Sequence, residues 1–175
     1  MKQTKYVPSG GLAFYEEKEM KKLSKLAKEG WVLEGFAFLG YKLRKIESCN
    51  IDYSVDYQKN PDDDYFTYFE AAGWSHVCSS GKEIHIFSAP AGTKPIYSDQ
   101  ETTIEKYERE KKSFGKYTLC FFISTVFLFL LANLSGYGWL GTALKIVCMF
   151  SSIGLVFTGM PYIGFSLKLN NLKRS

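Results

Sequence analysis

The sequence predicts an α+β protein: a duplicated βαββ antiparallel sheet with two helices on one face, then a stalk helix and two transmembrane helices. Three observations support this fold class. A Gly-Trp pair ends a helical pattern twice, first at Gly30-Trp31 and again at Gly73-Trp74. Runs of alternating polar and apolar residues, typical of half-buried strands, lie on both sides of each pattern. Two long stretches near the C-terminus contain no charged residue.

The first repeat begins with a short strand at Lys5–Val7. A helix follows, predicted by an apolar stripe at helical spacing: Met20, Leu23, Leu26 and Ala27. Gly30 provides the left-handed cap with which many helices end. Two strands complete the repeat, Trp31–Leu39 and Tyr41–Ile46, with a turn at Gly40.

The second repeat begins with the strand Asn50–Tyr57, in which polar and apolar residues alternate. Pro61 and the acids after it form a favourable helix start, because acidic side chains interact well with the positive end of the helix dipole. The helix is predicted by the stripe Tyr65, Phe69 and Ala72. Two strands follow, Trp74–Ser79 and Glu83–Ala89, and we expect a two-residue turn at Ser80-Gly81.

The C-terminal part is expected to form a membrane anchor. Tyr117–Leu134 and Ile146–Leu167 each have the length and composition of a membrane-spanning helix. The charged helix before them is expected to be a solvated stalk, and the alternative is a surface for a partner helix. The predicted domains are residues 1–98 (cytoplasmic α+β domain), 99–116 (juxtamembrane stalk), 117–169 (transmembrane hairpin) and 170–175 (cytoplasmic tail). Four residues of the second span are candidates for helix kinking or close packing: Gly154, Gly159, Pro161 and Gly164.

The formal net charge of +4 arises after Tyr117, where the chain contains four cations and no acid. Those cations flank the apolar stretches, whereas a nucleic-acid-binding protein would carry them on its folded domain. Nucleic acid is therefore not an expected partner. Cations also precede the first span, so the positive-inside rule predicts a multi-pass cell-membrane protein with both termini in the cytoplasm. The four cysteines form no disulfide framework, which fits a reducing compartment.

No phosphate-binding loop, dinucleotide fingerprint or hydrolase motif is present, and no cofactor is expected. The predicted pairing of the last two strands places His76 opposite His85, with Cys78 on the same face. Two imidazoles and a thiol can bind a metal ion. The alternative interpretation is a half-polar sheet face without a ligand.

Aromatic residues are abundant in the predicted domain. A sheet with helices on one face leaves its other face open, and aromatic side chains there would form a surface for a ligand or a partner. The candidates for that surface are Phe36, Phe38, Tyr53 and Tyr57. The alternative is that these residues form the core of a small domain.

Several segments together resemble the bacterial domain-of-unknown-function family 2812. They are Phe14–Glu19, Leu26–Trp31, Asp52-Tyr53, Asp56-Tyr57, Phe69–Trp74 and Pro95–Asp99. The resemblance implies a bacterial membrane protein, often from Gram-positive species and often encoded near small transcriptional regulators. It implies no catalytic residue. The glycines after Val7-Pro8 depart slightly from the family pattern.

The function expected from these observations is that of a non-enzymatic, membrane-anchored protein of regulatory, adaptor or immunity type. Its cytoplasmic domain would bind a protein partner, either cytoplasmic or in the membrane. The first alternative is the sensing of a small ligand or a metal by the sheet face. The second is an enzyme of unknown class. Homo-oligomerisation through the membrane helices is compatible with the sequence.

Overall fold

The computed structural model describes residues 3–97, 100–135 and 138–174. The chain divides into two compact units, Met1–Lys106 and Tyr107–Ser175. The first unit contains β1 (Thr4–Pro8), α1 (Leu12–Lys28), β2 (Trp31–Ala37), β3 (Gly40–Lys45), β4 (Ile51–Tyr57), α2 (Asp63–Ala71), β5 (Ser75–Ser80) and β6 (Ile84–Pro90). Helix α3 comprises Gln100–Leu134 and helix α4 comprises Trp139–Leu172. The predicted domain boundary between residues 98 and 99 lies outside the described residues.

The six strands form two antiparallel sheets of three strands each. The strand order is β1-β3-β2 in the first sheet and β4-β6-β5 in the second. Both sheets therefore place the last strand of a βαββ repeat in the middle. The predicted α+β fold class is confirmed, and the strands form two three-stranded sheets rather than one continuous sheet.

Helix α1 packs against β2 of the first sheet and β4 of the second. Its buried apolar face is formed by Met20, Leu23 and Ala27, as the helical spacing predicts. The helix ends before Gly30, whose φ of +81° is the left-handed conformation expected at this position. By contacting both sheets, α1 joins the two repeats into one core.

Helix α2 begins at a cap formed by Asp62, whose Oδ1 accepts a hydrogen bond from the Tyr65 backbone N–H at 3.0 Å. The helix packs over the second sheet. The core between them contains Phe69, Trp74, Phe87 and Ala89. Trp74 donates its indole N–H to the Lys94 carbonyl at 3.0 Å, so this Gly-Trp tryptophan anchors the second repeat.

Strands β5 and β6 pair in a different register from the predicted one. Ser80 pairs with Ile84, so the connecting loop has three residues rather than two. A bulge between His76 and Cys78 shifts the register again, and His76 lies opposite Phe87 instead of His85. The predicted opposition of the two histidines is therefore wrong.

Two helices are long and apolar enough to cross a membrane, Glu101–Leu134 and Trp139–Leu172. Within the second unit they contact each other through small and polar side chains. The hydroxyls of Thr125 and Ser151 lie 2.8 Å apart. Such interhelical hydrogen bonds are typical of helix pairs in membranes.

Candidate functional site

Two histidines of the second repeat are connected by a serine hydroxyl. Ser79 Oγ lies 2.8 Å from His76 Nε2 and 2.7 Å from His85 Nδ1. The other ring nitrogen of His85 donates to the Gln58 carbonyl at 3.0 Å, because a carbonyl oxygen can only accept. We call this arrangement the His76-Ser79-His85 chain. It connects strand β5 to the loop that follows β4.

The His85 end of the His76-Ser79-His85 chain lies between the second sheet and α2, whereas His76 is exposed. His85 is only 2% exposed. The Tyr65 ring lies 5.6 Å from the His85 ring and the Phe66 ring 4.8 Å from the His76 ring, both measured between centroids. Burial lowers the pKa of His76, and the neighbouring His85 lowers it further. The charged form of His76 is therefore disfavoured.

Cys78 lies on the opposite face of β5 from this chain. It pairs with Ile86 while Ser79 pairs with His85, and consecutive residues of a strand point to opposite faces. Burial raises the pKa of the Cys78 thiol to about 12, although a hydrogen bond with the Phe36 backbone lowers it. The predicted grouping of His76, Cys78 and His85 is therefore not formed, because the bulge places the thiol on the other face.

Within the described ranges, no group of three or more His, Cys, Asp and Glu side chains has the arrangement of a metal site. The two imidazoles instead contact the Ser79 hydroxyl.

Two of the four aromatic candidates are buried. Tyr53 is 7% exposed and Tyr57 is 3% exposed, because α1 covers β4. Tyr53 Oη accepts a hydrogen bond from the Leu33 backbone N–H at 3.1 Å, and burial raises the pKa of Tyr53. Tyr57 donates to Glu16 Oε2 at 3.1 Å. The prediction that these tyrosines form an open ligand or partner surface is wrong.

The other two candidates lie near the turn between β2 and β3. Phe36 is half-buried, and its ring lies 5.8 Å from the Tyr41 ring. Phe38 is 87% exposed and Leu39 is 63% exposed. We call these last two residues the Phe38-Leu39 tip. They are large apolar side chains that the fold leaves in solvent.

The backbone of the Phe38-Leu39 tip is held in place. The Tyr6 hydroxyl lies 3.0 Å from the Phe38 carbonyl and 3.2 Å from the Leu39 carbonyl, and donates to them. The Ser9 backbone N–H also donates to the Leu39 carbonyl, at 3.0 Å. Leu39 has a φ of +51°, a left-handed conformation that non-glycine residues rarely adopt. A fixed backbone thus presents two exposed apolar side chains.

A buried ion pair lies at the start of α3, within the first unit. Lys106 is 4% exposed, and its Nζ lies 2.7 Å from Glu16 Oε1. Lys106 also donates to the Val55 carbonyl at 2.6 Å. Its ammonium lies 5.0 Å from the Tyr57 ring centroid and 4.8 Å from that of Tyr97, within range of cation–π attraction.

A buried carboxylate lies next to this pair. Asp56 is 2% exposed and accepts hydrogen bonds from the hydroxyls of Tyr65, at 2.8 Å, and Tyr97. Tyr97 therefore contacts both Asp56 and Lys106. The polar network connects α1, α2 and β4 to the first residues of α3.

The sequence-based prediction of a solvated stalk is wrong at Lys106. Charged residues are frequent in this helix, and their frequency alone suggests exposure. The sequence feature that could have predicted the burial of Lys106 is its spacing from two later residues. Lys106, Glu110 and Phe114 are four residues apart and so share one helical face. A charged residue on a face that also carries an aromatic ring is a candidate for burial.

The predicted packing residues of α4 differ in their surroundings. A Cβ on Gly154 would lie 2.5 Å from a ring carbon of Phe121, so glycine permits close approach of α3. A Cβ on Gly159 would have only Thr118 nearby, at 3.8 Å. Gly164 is buried, and Pro161 lies inside the helix, which continues to Leu172.

A comparison with family models gives one match, over residues 15–120, to the family described as "Protein of unknown function (DUF2812)". The match includes more than half of the chain. The chain belongs to the DUF2812 family. Searches of curated proteins and of solved structures find no match.

The DUF2812 match includes α1 from residue 15 onward and all later elements of the first unit. Strand β1 and the first three residues of α1 precede it. Both histidines, the Phe38-Leu39 tip, Glu16 and Lys106 lie within it. Tyr6 and Ser9, which hold the tip, precede it. The match ends within α3, so α4 lies outside the matched residues.

Proposed function

We propose that this DUF2812 protein is a non-enzymatic, membrane-anchored regulatory or adaptor protein whose cytoplasmic unit binds a partner protein through the Phe38-Leu39 tip. The exposure of Phe38 is the observation that carries the proposal. Interfaces depend on a few large apolar or aromatic anchors that insert into pockets of the partner. A partner with an apolar pocket at its surface is the occupant that fits this tip.

The fixed backbone of the tip supports this assignment. Ordering a flexible loop on binding costs free energy, and a loop that is already ordered avoids that cost. Two donors, the Tyr6 hydroxyl shared between the Phe38 and Leu39 carbonyls and the Ser9 N–H, hold the turn before any partner is present. Leu39 also adopts a strained left-handed φ. Strained residues cluster at functional positions, so this conformation supports the assignment of the tip as a binding site.

Membrane anchoring is the second part of the proposal. Two helices have the length and apolar composition required to cross a bilayer. Lys112 and Lys116 precede the first apolar stretch, and Lys173 and Arg174 follow the second. The positive-inside rule then places the first unit, and the tip with it, on the cytoplasmic side of the cell membrane.

Photo-crosslinking in cells tests the tip directly. A photoreactive phenylalanine analogue replaces Phe38 in the full-length protein, and the same analogue replaces Tyr68 in a matched variant. Tyr68 is 75% exposed on α2, so it controls for exposure alone. We expect a discrete protein adduct from position 38 and none from position 68.

Two outcomes would count against the proposal. The first is adduct formation of equal pattern at both positions, which indicates random contact. The second is reaction of position 38 with lipid only, which makes the tip a membrane contact. A Leu39→Ser change combined with the analogue at position 38 should weaken the protein adduct, because Leu39 forms half of the apolar surface.

A further inference from the structure

We propose that Ser79 is an activated nucleophile with His85 as its general base, and that its hydroxyl accepts an acyl group from an activated acyl donor of the thioester class. This modification site is separate from the Phe38-Leu39 tip. The reaction modifies the protein itself once and requires no turnover, so it goes beyond partner binding and is compatible with a non-enzymatic role.

The direction of the hydrogen bonds is fixed at the buried end of the His76-Ser79-His85 chain. The Gln58 carbonyl can only accept, so His85 Nε2 carries a hydrogen. In the neutral ring, His85 Nδ1 then presents a lone pair. Ser79 Oγ lies 2.7 Å from that nitrogen and donates its single hydrogen to it. The hydroxyl is therefore bonded to a base that can remove its proton.

His76 contacts the same hydroxyl from the other side. Because the Ser79 hydrogen is directed at His85, the 2.8 Å bond between Ser79 Oγ and His76 Nε2 has His76 as its donor. When Oγ forms a bond to carbon, this N–H loses a strong acceptor and becomes available to the oxygen of the entering carbonyl group. His76 thus provides a donor for the negative charge that develops there.

The base is held in place by its surroundings. His85 is 2% exposed and pairs directly with Ser79 in the β5–β6 ladder. The loop that contains Gln58 is fixed in turn, because the Gln58 N–H donates to the Glu83 carbonyl at 3.1 Å. A nucleophile, a base within hydrogen-bond reach and a third group that orients the base are the parts of an activated serine.

The surroundings of the hydroxyl suit an acyl group. Ser79 is half-buried and His76 is exposed, so a donor can approach Ser79 Oγ from the His76 side. The half-buried Phe66 ring lies 4.8 Å from the His76 ring and provides apolar surface there. A phosphoryl group would favour cations, and in the adjoining loop Lys59 is paired with Glu83 at 3.3 Å.

The step is an acyl transfer. Ser79 Oγ attacks the carbonyl carbon and forms an ester bond, while His85 Nδ1 takes the hydroxyl proton. The carbon–sulfur bond of the donor breaks, and the sulfur leaves with the electron pair as a thiolate. The thiolate takes up the proton from His85. The products are acylated Ser79 and a free thiol, and no oxidant or reductant is required.

The test treats the full-length protein in detergent micelles with p-nitrophenyl acetate, an activated ester. Peptide mapping by mass spectrometry measures acetylation over time. Ser75 is the internal control, an exposed serine of the same strand that pairs with Ser88. A positioned general base accelerates reactions by about a hundredfold to ten-thousandfold, so we expect Ser79 to be acetylated at least about a hundredfold faster than Ser75. In urea the two rates should become equal.

A variant separates general-base activation from mere accessibility. His85→Gln retains a polar side chain but removes the imidazole, so Ser79 should then react no faster than Ser75. Circular dichroism verifies the fold of this variant, and if it does not fold, the comparison of the two serines in the unmodified protein decides. Equal acetylation of Ser79 and Ser75 in the folded protein would overturn the proposal. Acetylation of His76 without an ester at Ser79, or an unchanged rate in folded His85→Gln, would also overturn it.

Discussion

At the scale of single residues, Lys106 at the start of α3 makes several polar and cation–π interactions. Its ammonium contacts a carboxylate of α1, a carbonyl of β4 and two tyrosine rings. A buried charge is costly unless it is paired and hydrogen-bonded. Removing either partner of the Lys106–Glu16 pair therefore takes a compensating charge away from the other, which is buried.

We predict that Lys106→Ala lowers the free energy of unfolding of the first unit by about 3–5 kcal/mol. Lys112 is exposed on the same helix. Lys112→Ala should therefore change the free energy of unfolding by less than about 0.5 kcal/mol. Urea unfolding followed by tryptophan fluorescence measures both variants, with Trp139 replaced by phenylalanine so that only Trp31 and Trp74 report.

A double substitution distinguishes lost pairing from lost packing. Lys106→Met with Glu16→Leu removes both charges and keeps apolar volume, so it should be more stable than either single variant. Additive losses, or a Lys106→Ala variant as stable as Lys112→Ala, would contradict the buried pair.

Cys78 provides a pH-dependent prediction at the same scale. Burial raises its pKa from 9.0 to about 12, and only the thiolate reacts readily with alkylating reagents. Below pH 9 the folded protein should therefore contain about a thousandfold less Cys78 thiolate than the unfolded protein. The stabilisation from this neutral thiol is present below pH 9 and is lost as pH rises towards 12.

The measurement is iodoacetamide modification of a variant that retains Cys78 as its only cysteine. The rate is compared between native buffer and urea over pH 7–9. Equal rates in the two conditions would show that the thiol is exposed in the folded protein.

At the scale of elements, the two repeats end their helices in the same way but with different surroundings. Gly30 and Gly73 have φ values of +81° and +84°. A Cβ on Gly30 would lie 2.7 Å from the Ile46 carbonyl oxygen, whereas one on Gly73 would approach only the Thr93 methyl, at 3.5 Å. The Ile46 carbonyl belongs to the backbone and cannot move away from a new Cβ as easily as the Thr93 side chain can.

We therefore predict that Gly30→Ala is more destabilising than Gly73→Ala. Both changes incur the left-handed penalty of about 1–2 kcal/mol. The close contact with Ile46 adds about 1–3 kcal/mol to the first change only. The same fluorescence assay compares the two, and equal losses would argue against the close approach at Gly30.

The helix pair of the second unit allows a similar comparison. Gly154→Leu should weaken the contact between α3 and α4 by about 1–3 kcal/mol, because the new side chain overlaps the Phe121 ring. Gly159→Ala is the control, since its Cβ meets only Thr118 at van der Waals distance. Thermal unfolding in micelles measures both. Adding Phe121→Ala to Gly154→Leu should restore part of the loss, and no restoration would contradict the assigned contact.

The sequence predicts the order of elements well because glycine caps, helical stripes and strand alternation are local signals. It does not predict the β5–β6 register, because the alternation pattern does not reveal the bulge after His76 or the three-residue loop. Alternation in β4 identifies a face with Tyr53 and Tyr57 but does not show that α1 covers it. For the same reason the burial of Lys106 requires the tertiary structure.

At the scale of the whole molecule, the chain combines an α+β unit with two long apolar helices. Its cations and acids balance up to Lys116, and the excess of +4 lies beyond it. That distribution, together with cations on both sides of the helix pair, supports the proposal that both termini are cytoplasmic. The proposed partner of the Phe38-Leu39 tip would then be reached from the cytoplasmic side.

The most direct test of this account is cysteine labelling of intact cells with a membrane-impermeant maleimide. Three variants of a cysteine-free protein carry one new cysteine each, at Gln3, Gly138 or Lys173. We predict labelling of position 138 in intact cells, and labelling of positions 3 and 173 only after the cells are opened. Labelling of position 3 or 173 from outside, or release of the protein from membranes without detergent, would contradict the account.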